Sequence, residues 1–169
     1  MDFVIPIREF KTDIKITLKN KPLVKLICTF FFAGYFPFAP GSLASLITLP
    51  IIWFLIPPSF HILLPVSIGL FFVSVWSATE GEEIFGKDGR QIVIDEATGM
   101  AISLLFVPKD ITGYVIAFFL FRIFDIIKPS PARSAEKLKG GWGVTLDDVV
   151  AGIYANVTLH IIYFVGHLI

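Results

Sequence analysis

Five carboxylates stand beside long apolar runs in this chain: Asp95, Glu96, Asp125, Asp147 and Asp148. Three cations lie near them in sequence, Arg122, Lys128 and Arg133. An ionisable group on an apolar helix is expensive, so it pairs, faces a polar cavity or does work. Asp95 and Glu96 are predicted to open one helix, where carboxylates gain from the positive end of the helix dipole. Asp147 and Asp148 are predicted to open another in the same way. Arg122 and Asp125, at i and i+3, share a helix face. Acids brought together from three helix ends would repel one another unless a cation bridged them. Hard oxygen ligands at that density suit Mg²⁺, or Mn²⁺ as the alternative. Zinc is disfavoured, because Cys28 sits in an apolar stretch and His61, His160 and His167 are expected at the opposite end.

Carboxylates, a divalent cation and nearby Arg and Lys describe a phosphate site. A spare carboxylate can serve as general base. Residue types alone leave three readings open: metal-assisted phosphoryl chemistry, structural ion pairs between helix ends, and an ion or solute pathway. The pathway suits the pattern least, since the acids gather at one end instead of lining a midplane. Two glycine-bearing segments could add backbone donors for phosphate. One is "FPFAPGS", with Pro40, Gly41 and Ser42 at a helix start, and the other is "LKGGWG" over 138–143. Ordinary turn and cap chemistry explains both equally well. Gly99 and Gly152 each follow an acid by four residues, which lets neighbouring backbones approach there.

The elements that must hold these residues are apolar helices. Of 169 residues, 55% are apolar and 17% charged, which points to an integral membrane protein. The expected fold is all-α, a polytopic membrane bundle of about five spans: 43–56, 60–77, 95–107, 111–127 and 146–168. Residues 1–22 are expected to hold an amphipathic interfacial helix, with Ile7, Phe10, Ile14 and Leu18 on one face and a basic stripe alongside. Residues 23–169 then form a single membrane-embedded domain, beginning with a short re-entrant segment over 23–42. On this topology thirteen of the fourteen Lys and Arg residues fall on one side, and only Lys109 on the other. The positive-inside rule makes the first side cytoplasmic and puts every chemically interesting stretch there. A formal net charge of zero gives no bulk attraction to nucleic acid. Oligomeric state has no signature in the sequence.

Four blocks, "FPFAPGSLASLITLP", "IVIDEATGM", "FRIFDIIKPSPAR" and "GGWGVTLDDVVAGIYA", closely resemble the phosphatidylglycerophosphatase A family in order and spacing, over roughly 34–155. The resemblance implies a mostly helical, Mg²⁺-dependent phosphatase of the bacterial inner membrane. Such an enzyme removes the terminal phosphate of phosphatidylglycerophosphate, giving phosphatidylglycerol and phosphate. Asp95 and Glu96 fall on the family's acidic pair. Asp125 and Lys128 fall in its "FD–KP" block, with Arg122 just before. Asp147 and Asp148 fall on its "DD–AG" block, and Pro40 and Gly41 match its proline-glycine loop. Glu83 and Asp88 match more variable positions. The expected roles are Mg²⁺ held by Asp95, Glu96, Asp125 and Asp148, with Glu96 or Asp147 as base. Arg122, Lys128 and Arg133 then bind phosphate oxygens, with Pro40, Gly41 and Ser42 beside them. Attack by water is the expected route, and an aspartyl-phosphate intermediate is the alternative. A small transporter with an acidic cytoplasmic site and a lipid phosphotransferase are the rival functions.

Overall fold

The computed structural model describes residues 21–166, and every regular element among them is helical. The amphipathic helix expected within 1–22 lies almost wholly outside these residues. Helix α1 (Pro22–Cys28) is followed by a reversal in which Phe30, Phe31 and Phe32 all adopt left-handed backbone angles. The Thr29 hydroxyl accepts the Phe32 N–H at 3.1 Å and steadies that reversal. A 3-10 turn (Ala33–Tyr35) leads to α2 (Pro40–Leu55), α3 (Phe60–Phe85), α4 (Ile94–Ser103), α5 (Ile111–Ile127), α6 (Ala132–Ala135) and α7 (Gly141–Gly166).

Helix α4 is the axis of the bundle, with α7, α3, α2 and α5 packed around it. Its side chains are small enough to permit this. Ala97, Thr98, Met100 and Ala101 are fully buried, and the Gly99 and Gly152 backbones meet where α4 crosses α7. Buried hydroxyls on the inward faces bond back to their own helices. Ser45 donates to the Gly41 carbonyl, Thr98 to Ile94 and Ser103 to Gly99. Apart from a few such as Phe121, Leu104 and Leu159, many large apolar side chains point the other way. Phe54, Phe72, Phe119 and Phe164 are among many that are exposed. Small and hydroxylated residues inside, with aromatic residues outside, reverse the usual water-soluble arrangement. Helices α3 and α7 are each long and apolar enough to cross a bilayer.

Three boundaries differ from the sequence reading. Helix α3 runs to Phe85 instead of ending near 77, because Ser77, Ala78 and Gly81 continue its buried face after the apolar run stops. It ends at Gly86, whose φ of +92° suits glycine. Helix α4 covers only ten residues, about 15 Å, and gives way to a turn before Val107. Helix α7 starts at Gly141, five residues earlier than expected, so its acids are not at its N-terminal end.

Candidate active site

Three helices, α4, α5 and α7, bring the five predicted carboxylates together. Asp95 and Glu96 occupy the first turn of α4, as the sequence pattern predicts. The Val93 N–H just before them donates to the Cys28 carbonyl at 2.8 Å, fixing the start of α4 against the end of α1. Asp147 and Asp148 lie two turns inside α7, which corrects the reading that they open a helix. The helix dipole therefore does little for this second pair, since its effect is confined to the terminal turn. Arg122 and Asp125 project from the last turns of α5, with Arg122 Nη1 2.8 Å from Asp125 Oδ2. Lys128 ends α5 in a left-handed conformation, and its Nζ sits 2.7 Å from Asp147 Oδ2 and 3.4 Å from Glu136 Oε1. Burial alone would lower the Lys128 pKa. The hydrogen bond to Asp147 and the nearby acids raise it above its ordinary value.

These groups surround a cleft of about 270 Å³ lined by all five predicted carboxylates, by Arg122 and Lys128, and by Pro40 and Gly41. At its heart one oxygen each of Asp95, Glu96 and Asp148 lie within 4.8 Å of one another. Asp95 Oδ1, Glu96 Oε2 and Asp148 Oδ2 are buried and have no hydrogen-bond partner among the described residues. Three orphaned anionic oxygens in so small a space are unstable unless positive charge joins them. As hard donors they fit a divalent cation of the Mg²⁺ or Mn²⁺ kind. Among the described residues no histidine or cysteine lines the cleft.

Gly41 belongs to the site for a steric reason. A Cβ there would overlap Glu96 Oε1 and lie 2.7 Å from its Cδ, so only glycine lets the Glu96 carboxylate occupy this position. Asp125 faces the cleft but is engaged with Arg122, outside the tight trio. Asp147 is likewise engaged, with Lys128.

Two predicted residues are not brought to the cleft wall. Ser42 is half-buried on α2 with its side chain elsewhere, and Arg133 lines a separate groove with Lys137. The "LKGGWG" segment does not form an open phosphate loop either. Gly141 and Gly143 are already helical, and the Gly141 N–H donates to Thr79 Oγ1. Sequence reasoning missed Arg90, which lines the cleft and donates to the Pro37 carbonyl at 2.7 Å, tying the polar connection to the proline loop. The available signal was its position five residues before Asp95 in that connection. Asp88, matched only to a variable position, also lines the cleft.

The sequence model of phosphatidylglycerophosphatase A matches residues 26–163. A protein of Bacteroides thetaiotaomicron, provisionally named a phosphatidylinositol-3-phosphatase, is 42% identical over 79% of this chain and 89% of its own length. Phosphatidylglycerophosphatase A of Escherichia coli is 33% identical over 84% of this chain and 83% of its own. That of Haemophilus influenzae is 43% identical over a shorter stretch, 46% of this chain and 48% of its own. No solved structure matches. The matched region takes in every carboxylate of the cleft, and on this ground the chain belongs to the phosphatidylglycerophosphatase A family and is a phosphatase.

Proposed function

We propose that this phosphatase hydrolyses the terminal phosphomonoester of phosphatidylglycerophosphate, releasing phosphatidylglycerol and phosphate, in a Mg²⁺-dependent reaction at the cytoplasmic face of the bacterial inner membrane. The observation that carries the reading is the trio of buried carboxylate oxygens on Asp95, Glu96 and Asp148, unpartnered among the described residues, with three cations, Arg90, Arg122 and Lys128, at the same cleft wall. Asp95, Glu96 and Asp148 would hold Mg²⁺, with Asp125 close by. Bound there, Mg²⁺ would polarise a phosphoryl oxygen and make water a better nucleophile. Arg122 and Lys128 orient the phosphate oxygens and offset charge as it develops. Asp147 holds Lys128 in place from one side, and Asp125 holds Arg122. Glu96 or Asp147 accepts the proton of the attacking water. The leaving glycerol oxygen departs in line, and no covalent enzyme intermediate is needed.

A multi-pass membrane setting is part of the proposal. It is supported by the outward-facing aromatic residues, by helices α3 and α7, and by the one-sided distribution of Lys and Arg. The lysine bias supports a cleft that faces the cytoplasmic leaflet.

The name of the Bacteroides relative supports a second reading, in which the lipid is phosphatidylinositol 3-phosphate. One experiment separates the two. Purified protein is given each lipid with Mg²⁺, and phosphate release is measured with and without chelator. Release from phosphatidylglycerophosphate that stops with chelator supports the first reading. Release confined to the inositol lipid supports the second. Flux without phosphate release would mean a transporter, and headgroup transfer to an added alcohol would mean a phosphotransferase. Sensitivity of the protein to hydroxylamine during turnover would replace water attack with an aspartyl-phosphate.

A further inference from the structure

We propose that the groove beside the cleft is a second anion subsite. It takes the phosphodiester of a lipid whose terminal phosphomonoester lies among the carboxylates. The inference rests on the lipid phosphatase reading above and says how that enzyme selects its substrate.

The groove has a volume of about 400 Å³ and is walled by Ile127, Lys128, Ser130, Arg133, Ser134 and Lys137. Among the described residues its ionisable lining is entirely cationic, whereas the cleft next to it carries six carboxylates. Lys128 lines both spaces, so an anion in the groove and one in the cleft would both lie beside this lysine. The groove is held by contacts independent of any ligand. Tyr154 on α7 donates its hydroxyl to the Ser130 carbonyl at 2.7 Å, and Ala132 beneath is fully buried. Among the described residues Arg133 has only a long 3.5 Å contact to the Ile127 carbonyl, which leaves donors of its guanidinium for a ligand. Glu136, the acid of this segment, lines the neighbouring cavity with Asp147 and Glu82 and not the groove itself, and its Oε1 lies 3.4 Å from Lys128 Nζ.

The two spaces suit different phosphates. A phosphomonoester carries two charges and matches the cation-seeking trio. A phosphodiester carries one, needs no metal, and is held well by a guanidinium, an ammonium and two hydroxyls. Ile126 and Ile127, 74% and 59% exposed, lie beside the groove and offer acyl chains an apolar exit. Phosphatidylglycerophosphate and phosphatidylinositol 3-phosphate both carry a diester and a monoester. Phosphatidic acid carries only the monoester, so it fills the cleft and leaves the groove empty.

The test compares kcat/KM for phosphatidylglycerophosphate with that for phosphatidic acid, each in non-ionic detergent that contains no other phosphodiester. The wild-type enzyme prefers the diester lipid. In the combined Arg133→Ala and Lys137→Ala variant the ratio of the two values falls at least about tenfold, mainly through KM. Lys137→Glu lowers it further, and Arg133→Lys restores most of it. Both positions are exposed, so folding is preserved. An unchanged ratio overturns the inference, and so does wild-type enzyme without a preference, while the phosphatase reading stands in either case. A ratio that falls only in vesicles containing phosphatidylglycerol would mean that the groove binds a bystander lipid, which also overturns it. If neither lipid releases phosphate, the phosphatase reading fails and this inference falls with it.

Discussion

Gly41→Ala isolates the geometry of the site from the stability of the fold. The new methyl group would overlap Glu96 Oε1 and stand 2.7 Å from Cδ and 3.2 Å from Cγ, with no other residue among its nearest neighbours. Ordinary contact begins near 3.4 Å, so Cδ must retreat by about 0.7 Å and the overlapped oxygen by more. The obstacle is the end of a flexible side chain, so the fold accommodates it at small cost. Alanine is also the better helix former by about 1 kcal/mol. The catalytic cost is much larger. A displacement of about 1 Å in a reacting constellation is worth about 100-fold in rate, or about 2.7 kcal/mol of transition-state stabilisation. Gly41→Ala should therefore keep a wild-type thermal midpoint in detergent while kcat for phosphate release falls about 100-fold. The Mg²⁺ concentration needed for half-activation should rise with it. A variant with unchanged kcat and unchanged Mg²⁺ dependence would refute the idea that the Glu96 carboxylate must lie where glycine alone admits it.

The other expectations concern the charges and the helix crossing. Asp148→Asn should abolish turnover, yet raise the thermal midpoint in chelator, because it removes one of three buried anions that repel one another. A lowered midpoint without metal would count against that repulsion. Lys128→Ala leaves Asp147 buried without its partner and should cost about 1–3 kcal/mol, read by thermal or chemical unfolding. Adding Asp147→Asn should recover part of that loss, and strictly additive effects would mean the pair is not coupled. Gly152→Ala makes the opposite kind of change to Gly41→Ala. Its methyl group would overlap the Gly99 carbonyl oxygen, which is backbone and cannot swing aside. It should destabilise the protein by about 1–3 kcal/mol, and a normal midpoint would show that α4 and α7 can part without cost.

Much of the site was legible in the chain because charge beside apolar sequence is conspicuous. Asp95, Glu96, Asp125, Asp147, Asp148, Arg122 and Lys128 stand out for that reason, and the cleft contains them all. Helical class was equally readable from long apolar runs punctuated by proline and glycine. Helix ends were harder. An apolar run marks where a helix faces grease, whereas a helix ends where its hydrogen bonds end. Helix α3 therefore outlasts its apolar run by eight residues, and α7 begins before its own.

Which of the conspicuous charges meet is a matter of packing, and sequence spacing carries no such information. Arg133 is five residues from Lys128, yet the chain leaves α5 through a left-handed turn and carries it into a different groove. Arg90 comes from a polar connection with no helical period to aim it, and only the fold turns it toward the proline loop. The role of Gly41 exists only across two helices, since what forbids a side chain there is Glu96 on α4. Residue type is a local property, set by desolvation cost and charge, and a single sequence displays it. The partner of each residue depends on contacts between segments far apart in the chain, and those are decided only when the helices close around α4.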